Sequence, residues 1–354
     1  NAINPITGNP DKTLNGKWFV VFGSGPTGPI STLQFLGRSD QNLKIFVLDL
    51  KSGVQATTPI DTGISRAFAG SMINVTHDAD LNYSDDVLYI SYVKKAGDGT
   101  WTDGGVLRLS TKEDINPNNW VESTVKDGIG PVTSSIVKLQ STKKGQLWLY
   151  FGTGRYYFEQ FATVDDADSQ RKLYGVLEPC YTSSGFNASC TSSVSGSLTD
   201  VTLDASAVAA TVASTGGWYI SLDASGSYTY IEGGSSITRS YRAERVITDP
   251  VSTTTGLVFF TTYKPYSDIC AYGGKTFIWA VKYATGGAPG ALLKGTALLQ
   301  VSTGAIEQID LSTAFTDAGG RKSVALEGVP PTQQGLAIMS TPPPVERTIH
   351  IRER

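Results

Sequence analysis

The stretch Leu147-Trp148-Leu149-Tyr150-Phe151-Gly152-Thr153-Gly154, with Leu173-Tyr174-Gly175-Val176-Leu177 behind it, decides the fold class. The first run is apolar along nearly its whole length and ends in small residues, and a variable polar loop separates it from the second. The unit recurs. Trp18-Phe19-Val20-Val21-Phe22-Gly23-Ser24-Gly25 precedes Ile45-Phe46-Val47-Leu48-Asp49-Leu50, and Val87-Leu88-Tyr89-Ile90-Ser91-Tyr92 precedes Gly105-Val106-Leu107-Arg108-Leu109. Gly256-Leu257-Val258-Phe259-Phe260-Thr261-Thr262 precedes Phe277-Ile278-Trp279-Ala280-Val281. Repetition of one strand-loop-strand unit marks an array of similar sheets. Strands apolar on both faces must be covered on both sides, as the inner and middle strands of propeller blades are. A two-sheet sandwich would alternate apolar and polar residues more cleanly and is the second choice. The expectation is an all-β fold, a modified β-propeller with irregular blades and long loop insertions, forming a single domain over residues 1–354 with no domain linker.

Composition agrees with strands joined by turns. Gly, Ser and Thr are abundant, charged residues make up 17%, and long runs of Ala, Leu, Glu and Lys are missing, so few helices are expected. A net charge of −3 without dense Lys or Arg stretches argues against nucleic acid and against an anionic membrane surface as partners. No apolar run approaches bilayer length, so no membrane span is expected, and residues 1–10 lack the basic-then-apolar plan of a signal peptide. The sequence is accordingly expected to be soluble as it stands, any targeting segment having been removed or lying outside it.

Long insertions make the spacing of the units irregular. Residues 182–215, rich in Ser, Thr, Ala and Gly, are expected to form a surface insertion with at least one extra hairpin, and residues 286–304 a second excursion. Pro342-Pro343-Pro344 followed by Glu346-Arg347-Thr348-Ile349-His350-Ile351-Arg352 reads as a stiff spacer and a final alternating strand that could close the propeller. Of three cysteines, Cys180 and Cys190 bracket a short stretch that a disulfide could close in an oxidising compartment, while Cys270 is distant. Three unrelated buried thiols are the alternative. Asn187-Ala188-Ser189 is formally a glycosylation sequon of a kind frequent by chance.

One loop carries chemistry. Asp78-Ala79-Asp80-Leu81-Asn82-Tyr83-Ser84-Asp85-Asp86 puts oxygen-bearing side chains at its first, third, fifth, seventh and ninth positions and runs straight into a strand. Calcium takes six to eight oxygens, and alternating Asp and Asn in a tight loop can turn such oxygens inward. Tyr83 stands where an EF-hand loop has its turn Gly, and Tyr89 where that loop has its bidentate Glu, so further ligands must come from water or elsewhere. A solvated Asp-rich turn, its carboxylates bonding local N–H groups, is the competing reading. The pattern alone leaves both open.

Other constellations carry less. Asp165-Asp166-Ala167-Asp168 lacks the alternating spacing and reads as a solvated turn. Two histidines, His77 and His350, give poor support to a zinc site or a Ser-His-Asp arrangement, and His77 is expected to be structural. Gly152-Thr153-Gly154-Arg155 hints at a phosphate loop, but no helix signal follows it, and a turn between strands is the better reading.

Several of these blocks together resemble the C-terminal propeller region of PilY-type proteins of bacterial type IV pilus tips. They are Trp18-Phe19-Val20-Val21-Phe22-Gly23-Ser24-Gly25, the acidic loop running into Asp86-Val87-Leu88-Tyr89, Tyr150-Phe151-Gly152-Thr153-Gly154-Arg155-Tyr156 with Leu173-Tyr174-Gly175, and Glu244-Arg245-Val246-Ile247. Gly256-Leu257-Val258-Phe259-Phe260-Thr261-Thr262, with Pro265, Asp268, Cys270 and Gly273-Gly274, is similar as well, so the blocks cover most of the chain in the family's order. In that family the equivalent loop binds calcium, and occupancy is linked to pilus extension and retraction. The resemblance implies Ca2+ as cofactor, with Asp78, Asp80, Asn82, the Ser84 backbone carbonyl and Asp86 as ligands. It also implies export to the pilus tip, cell surface or periplasm, which suits a Cys180–Cys190 bridge. Two departures stand out. Family members usually carry further blades and a large, often adhesive upstream domain, so this chain is expected to be a fragment, a processed product or a short relative. At Ile90-Ser91-Tyr92 family strands commonly have a Gly-Asp pair.

The resulting expectation is a non-enzymatic, calcium-binding type IV pilus tip or biogenesis protein acting in pilus assembly, adhesion or twitching motility. Minor pilins are the expected partners, with a host or abiotic surface as a further candidate. The rivals are a calcium-dependent propeller enzyme, either a hydrolase or a quinone-dependent dehydrogenase, which needs a catalytic cluster the sequence does not offer, and a carbohydrate-binding module displaying Trp101, Trp120 and Trp218 in an exposed row.

Overall fold

Every run quoted above pairs antiparallel with the run that follows it. Phe19–Gly23 pairs with Lys44–Asp49, Val87–Lys94 with Asp103–Ser110, Gln146–Gly152 with Lys172–Leu177, and Leu257–Pro265 with Gly274–Lys282. The computed structural model describes residues 7–8, 17–31, 34–157, 168–268 and 273–339. The expected final strand at 346–352 with His350, and also Asp165, Asp166 and Cys270, lie outside the described residues.

The four pairs belong to four different sheets. Ile60–Asp61 completes the first. Ala67–Ala69 and Val121–Asp127 flank the second pair, with Thr76–His77 also on Val87–Lys94. Val137–Ser141 and Gly217–Ser221 flank the third, and Thr199–Asp200 joins Gly217–Ser221 in parallel. Arg245–Val246 and Lys322–Gly328 flank the fourth. A fifth sheet has Thr296–Val301 between Ile306–Asp310 and Pro331–Met339. Among the described residues the only α-helix is Ala209–Ser214, so the protein is all-β.

Alternation along each long strand explains why the runs are apolar throughout. In Val87–Lys94, Val87 and Tyr89 pack with Leu147, Leu149 and Phe151 of the third sheet, whereas Leu88, Ile90 and Tyr92 pack with Ile45 of the first. In Gln146–Gly152, Leu147, Leu149 and Phe151 turn to the second sheet, and Trp148 and Tyr150 turn to Val258 and Phe260 of the fourth. In Leu257–Pro265, Leu257 and Phe259 turn the other way, to Ala297 and Leu336 of the fifth. Successive side chains of a strand point to opposite faces, so each inner sheet contributes to two cores. Each fully buried large side chain contributes roughly 1.5–3 kcal/mol. The five sheets thus pack face to face in series, and no closed ring of sheets is seen among the described residues.

The insertions need correction. Residues 182–215 do contain part of an extra hairpin, Tyr181–Thr182 with Gly185–Phe186. They are not confined to the surface, however: Val194 and Leu198 enter the core between the second and third sheets, and Val201 and Val212 the core between the third and fourth. Residues 286–304 likewise include the strand Thr296–Val301, whose Ala297, Leu299 and Val301 are buried. Both stretches are rich in Ser, Thr, Ala and Gly, and this composition masks the larger apolar residues that they bury. Trp218 fills the third sheet so closely that a Cβ on Gly175 would meet its ring at 2.3 Å, which accounts for glycine within that strand.

Candidate metal centre

The acidic loop closes a hairpin between Thr76–His77 and the start of Val87–Lys94, with Asp86 N–H donating to His77 O at 3.0 Å. The third sheet clamps its base. Gln140 Nε2 donates to Ala79 O at 2.8 Å, Gln140 Oε1 lies 2.6 Å from His77 Nε2, and Lys138 Nζ donates to Thr76 O at 2.9 Å and to Asn74 O. Burial lowers the His77 pKa, so the ring is neutral at neutral pH and serves as a strut for Gln140.

Within the loop, Asp78 organises the turn. Its Oδ1 accepts Leu81 N–H at 2.6 Å and Asn82 N–H at 3.2 Å, and its Oδ2 accepts Tyr83 N–H at 2.7 Å. Asp86 Oδ2 reaches back to accept Ala79 N–H at 2.6 Å, and Asn82 Oδ1 accepts Ser84 N–H at 2.8 Å. Leu81 and Tyr83 take left-handed backbone conformations, with φ of 65° and 72°. Tyr83 thus adopts the conformation that an EF-hand loop assigns to glycine at the same position.

Asp78, Asp80 and Asp86 each place a carboxylate oxygen within 4.8 Å of the others. Asp86 is buried, Asp78 half-buried and Asp80 exposed. A fourth carboxylate stands beside them, since Asn82 Nδ2 donates to Glu113 Oε1 at 2.5 Å and to Asp80 Oδ2 at 3.0 Å. Burial, followed by the charges of Asp80, Glu113 and Asp78, pushes Asp86 up to about 6 against the opposing Ala79 N–H. Burial and the charges of Asp80 and Asp78 likewise raise Glu113, against the lowering bond from Asn82. Mutual repulsion of clustered carboxylates is the state that a divalent cation relieves.

The donor set fits a hard cation: Asp78, Asp80 and Asp86 supply convergent oxygens, and Glu113 adds charge beside them. Asn82 turns its nitrogen toward Asp80 and Glu113, so use of its oxygen as a ligand requires the amide to turn over. Ser84 is half-buried next to Asn82. Tyr89, at the EF-hand glutamate position, is fully buried in the core between the second and third sheets and is no ligand.

Local spacing gave no sign of Glu113, Thr111 or Gln140. The register signals the first two, because Val87 pairs with Ser110 and residues just before 87 therefore meet residues just after 110. The other sequence candidates are structural. Asp168 accepts Ala243 N–H at 2.6 Å and pairs with Arg245. Gly154 packs against the strand Arg245–Val246, where a Cβ would meet Val246 O at 2.5 Å, and the fully buried Arg155 donates to Gly37 O at 2.8 Å. Trp218 is buried, Trp120 meets Phe19 edge-on, and Trp101 lies against Phe68 and Arg155, so these three do not form an exposed row.

Cys180 and Cys190 form a disulfide with a Cα–Cα distance of 5.6 Å, consistent with an oxidising compartment. Among the described residues no helix is long and apolar enough to cross a membrane. Compared with protein-family models, curated proteins and solved structures, the chain shows no match.

Proposed function

We propose that this protein is an exported, non-enzymatic calcium-binding component of a type IV pilus tip, built as a modified β-propeller and working with minor pilins in pilus assembly, attachment or twitching motility. The metal reading rests on the convergence of the Asp78, Asp80 and Asp86 oxygens within 4.8 Å, with Glu113 beside them. The pilus reading draws on the sequence resemblance. Face-to-face packing of successive sheets supports the propeller reading, because blades pack in that way, and the disulfide supports export.

A cation that binds the native loop stabilises it by RT ln(1 + [L]/Kd). It also offsets the repulsion from neighbouring carboxylates that, after burial, helps to raise Asp86 and Glu113. Calcium would thereby shift the loop and its hairpin toward one ordered state without chemistry on a substrate. Calorimetry on the wild type and on Asp80→Ala tests this. Saturable calcium heat that the variant loses is expected, and no heat in the wild type would overturn the metal reading. Minor-pilin binding with calcium and with chelator tests the pilus reading separately, and unchanged absence of binding in both conditions would remove it.

A further inference from the structure

The end of the strand Asp103–Ser110 holds two loops at once. On one side Ser110 Oγ donates to Ala188 O at 2.9 Å, and the buried Arg108 guanidinium donates to Ser192 O at 3.0 Å and Cys190 O at 3.4 Å. These carbonyls lie in, or just beyond, the loop that the Cys180–Cys190 disulfide closes. Glu178 pins the other end of that loop, pairing with Arg108 and accepting Cys180 N–H at 2.8 Å. On the other side Thr111 N–H donates to Asp86 O at 2.9 Å, and Thr111 Oγ1 donates to Asp85 O and accepts Glu113 N–H at 3.1 Å. Glu113 in turn accepts the Asn82 amide. Neighbouring residues Ser110 and Thr111 therefore reach the disulfide loop and the acidic loop respectively.

We infer that the Cys180–Cys190 loop sets the divalent-cation affinity of the acidic loop, with Thr111 as the positioning residue that transmits the effect. The inference builds on the metal reading proposed above. An intact disulfide fixes the Ala188 and Cys190 carbonyls, and these hold Ser110 and Arg108 in place. A fixed strand end keeps Thr111 on Asp85 and Asp86. Without the disulfide, the buried Arg108–Glu178 pair loses ordered partners and the strand end loosens. Coupling of this kind is reciprocal, so a bound cation protects the disulfide from reduction by the same factor. In that reduction a dithiol delivers two electrons and two protons: the S–S bond breaks, Cys180 and Cys190 become thiols, and the dithiol closes to its own disulfide.

The test uses the full chain and calcium chloride alone. Calorimetric affinity is measured for the wild type, Cys180→Ser/Cys190→Ser, Thr111→Val and Thr111→Ser. Hydrogen exchange of the Ala79, Leu81 and Tyr83 amides, which bond to Asp86 and Asp78, is measured without metal, with the strand Leu257–Pro265 as reference. The double variant and Thr111→Val are expected to weaken calcium binding about tenfold, the scale of one or two lost hydrogen bonds, while Thr111→Ser keeps wild-type affinity. Exchange at the three amides is expected to rise about tenfold in the double variant while the reference strand keeps its protection. Wild-type affinity together with wild-type exchange in the double variant overturns the inference. No calcium heat in the wild type overturns the metal reading instead, and the exchange result then decides the coupling of the two loops alone.

Discussion

The Asn82 amide donates to Glu113 Oε1 at 2.5 Å across 31 positions of sequence. The pairing of Val87 with Ser110 brings them together, and it adds a carboxylate to a loop whose own residues supply Asp78, Asp80 and Asp86. Glu113→Gln keeps the hydrogen bond and removes the charge. Calcium affinity should fall about tenfold, or about 1.4 kcal/mol. In chelator the variant should melt no lower than the wild type, because a repelling charge has gone. Calorimetry and thermal unfolding in chelator check both arms.

Asp86 gives the loop a pH dependence of definite sign. Its folded pKa, about 6, lies above the ordinary 3.8. The folded state therefore binds more protons than the unfolded state between these values, so this group's contribution to metal-free stability is fully present below about pH 4 and is lost as pH rises through about 6. Calcium requires the ionised carboxylate, so affinity should weaken as pH falls below about 6, with proton release on binding near that pH. Asp86→Asn should flatten this part of the stability profile and weaken the pH dependence of binding, leaving the part that Glu113, also raised, contributes. Titrations at several pH values in buffers of different ionisation enthalpy would measure it.

Tyr83 pays a backbone penalty that its side chain does not recover, being 99% exposed at φ 72°. Tyr83→Gly should leave stability equal or raise it by up to about 1 kcal/mol, the left-handed strain relieved less the added entropy of an unfolded glycine. Tyr83→Val should lower it, since β-branched residues tolerate this region least. Urea unfolding in chelator distinguishes the two.

The Arg108–Glu178 pair, with neither side chain exposed, is a place where one substitution is worse than two. Glu178→Met or Arg108→Met should each cost about 3–5 kcal/mol by leaving a buried charge without its partner. The double replacement Arg108→Met/Glu178→Met should recover a large part of that loss. A double-mutant cycle on denaturant unfolding reads the coupling directly.

The strand pairs were legible in the sequence because burial on both faces makes a run apolar at every position, as at Leu147 to Phe151. Alternating oxygens made Asp78, Asp80 and Asp86 legible too. Glu113 and Gln140 were not, since each reaches the loop through strand pairing or sheet stacking that no local spacing records. Thr296–Val301 escaped notice for another reason: its solvent side carries Thr296 and Gln300, and the polar insertion around it masks the buried alternate residues.

Trp148 and Leu149 are joined by one peptide bond, yet they serve separate hydrophobic interiors. Damage to the packing of either interior is thus passed to the next through the backbone of a shared strand. Melting of the stacked sheets should accordingly proceed as a single event, and mechanical load entering at one end of the stack should be distributed along its whole length.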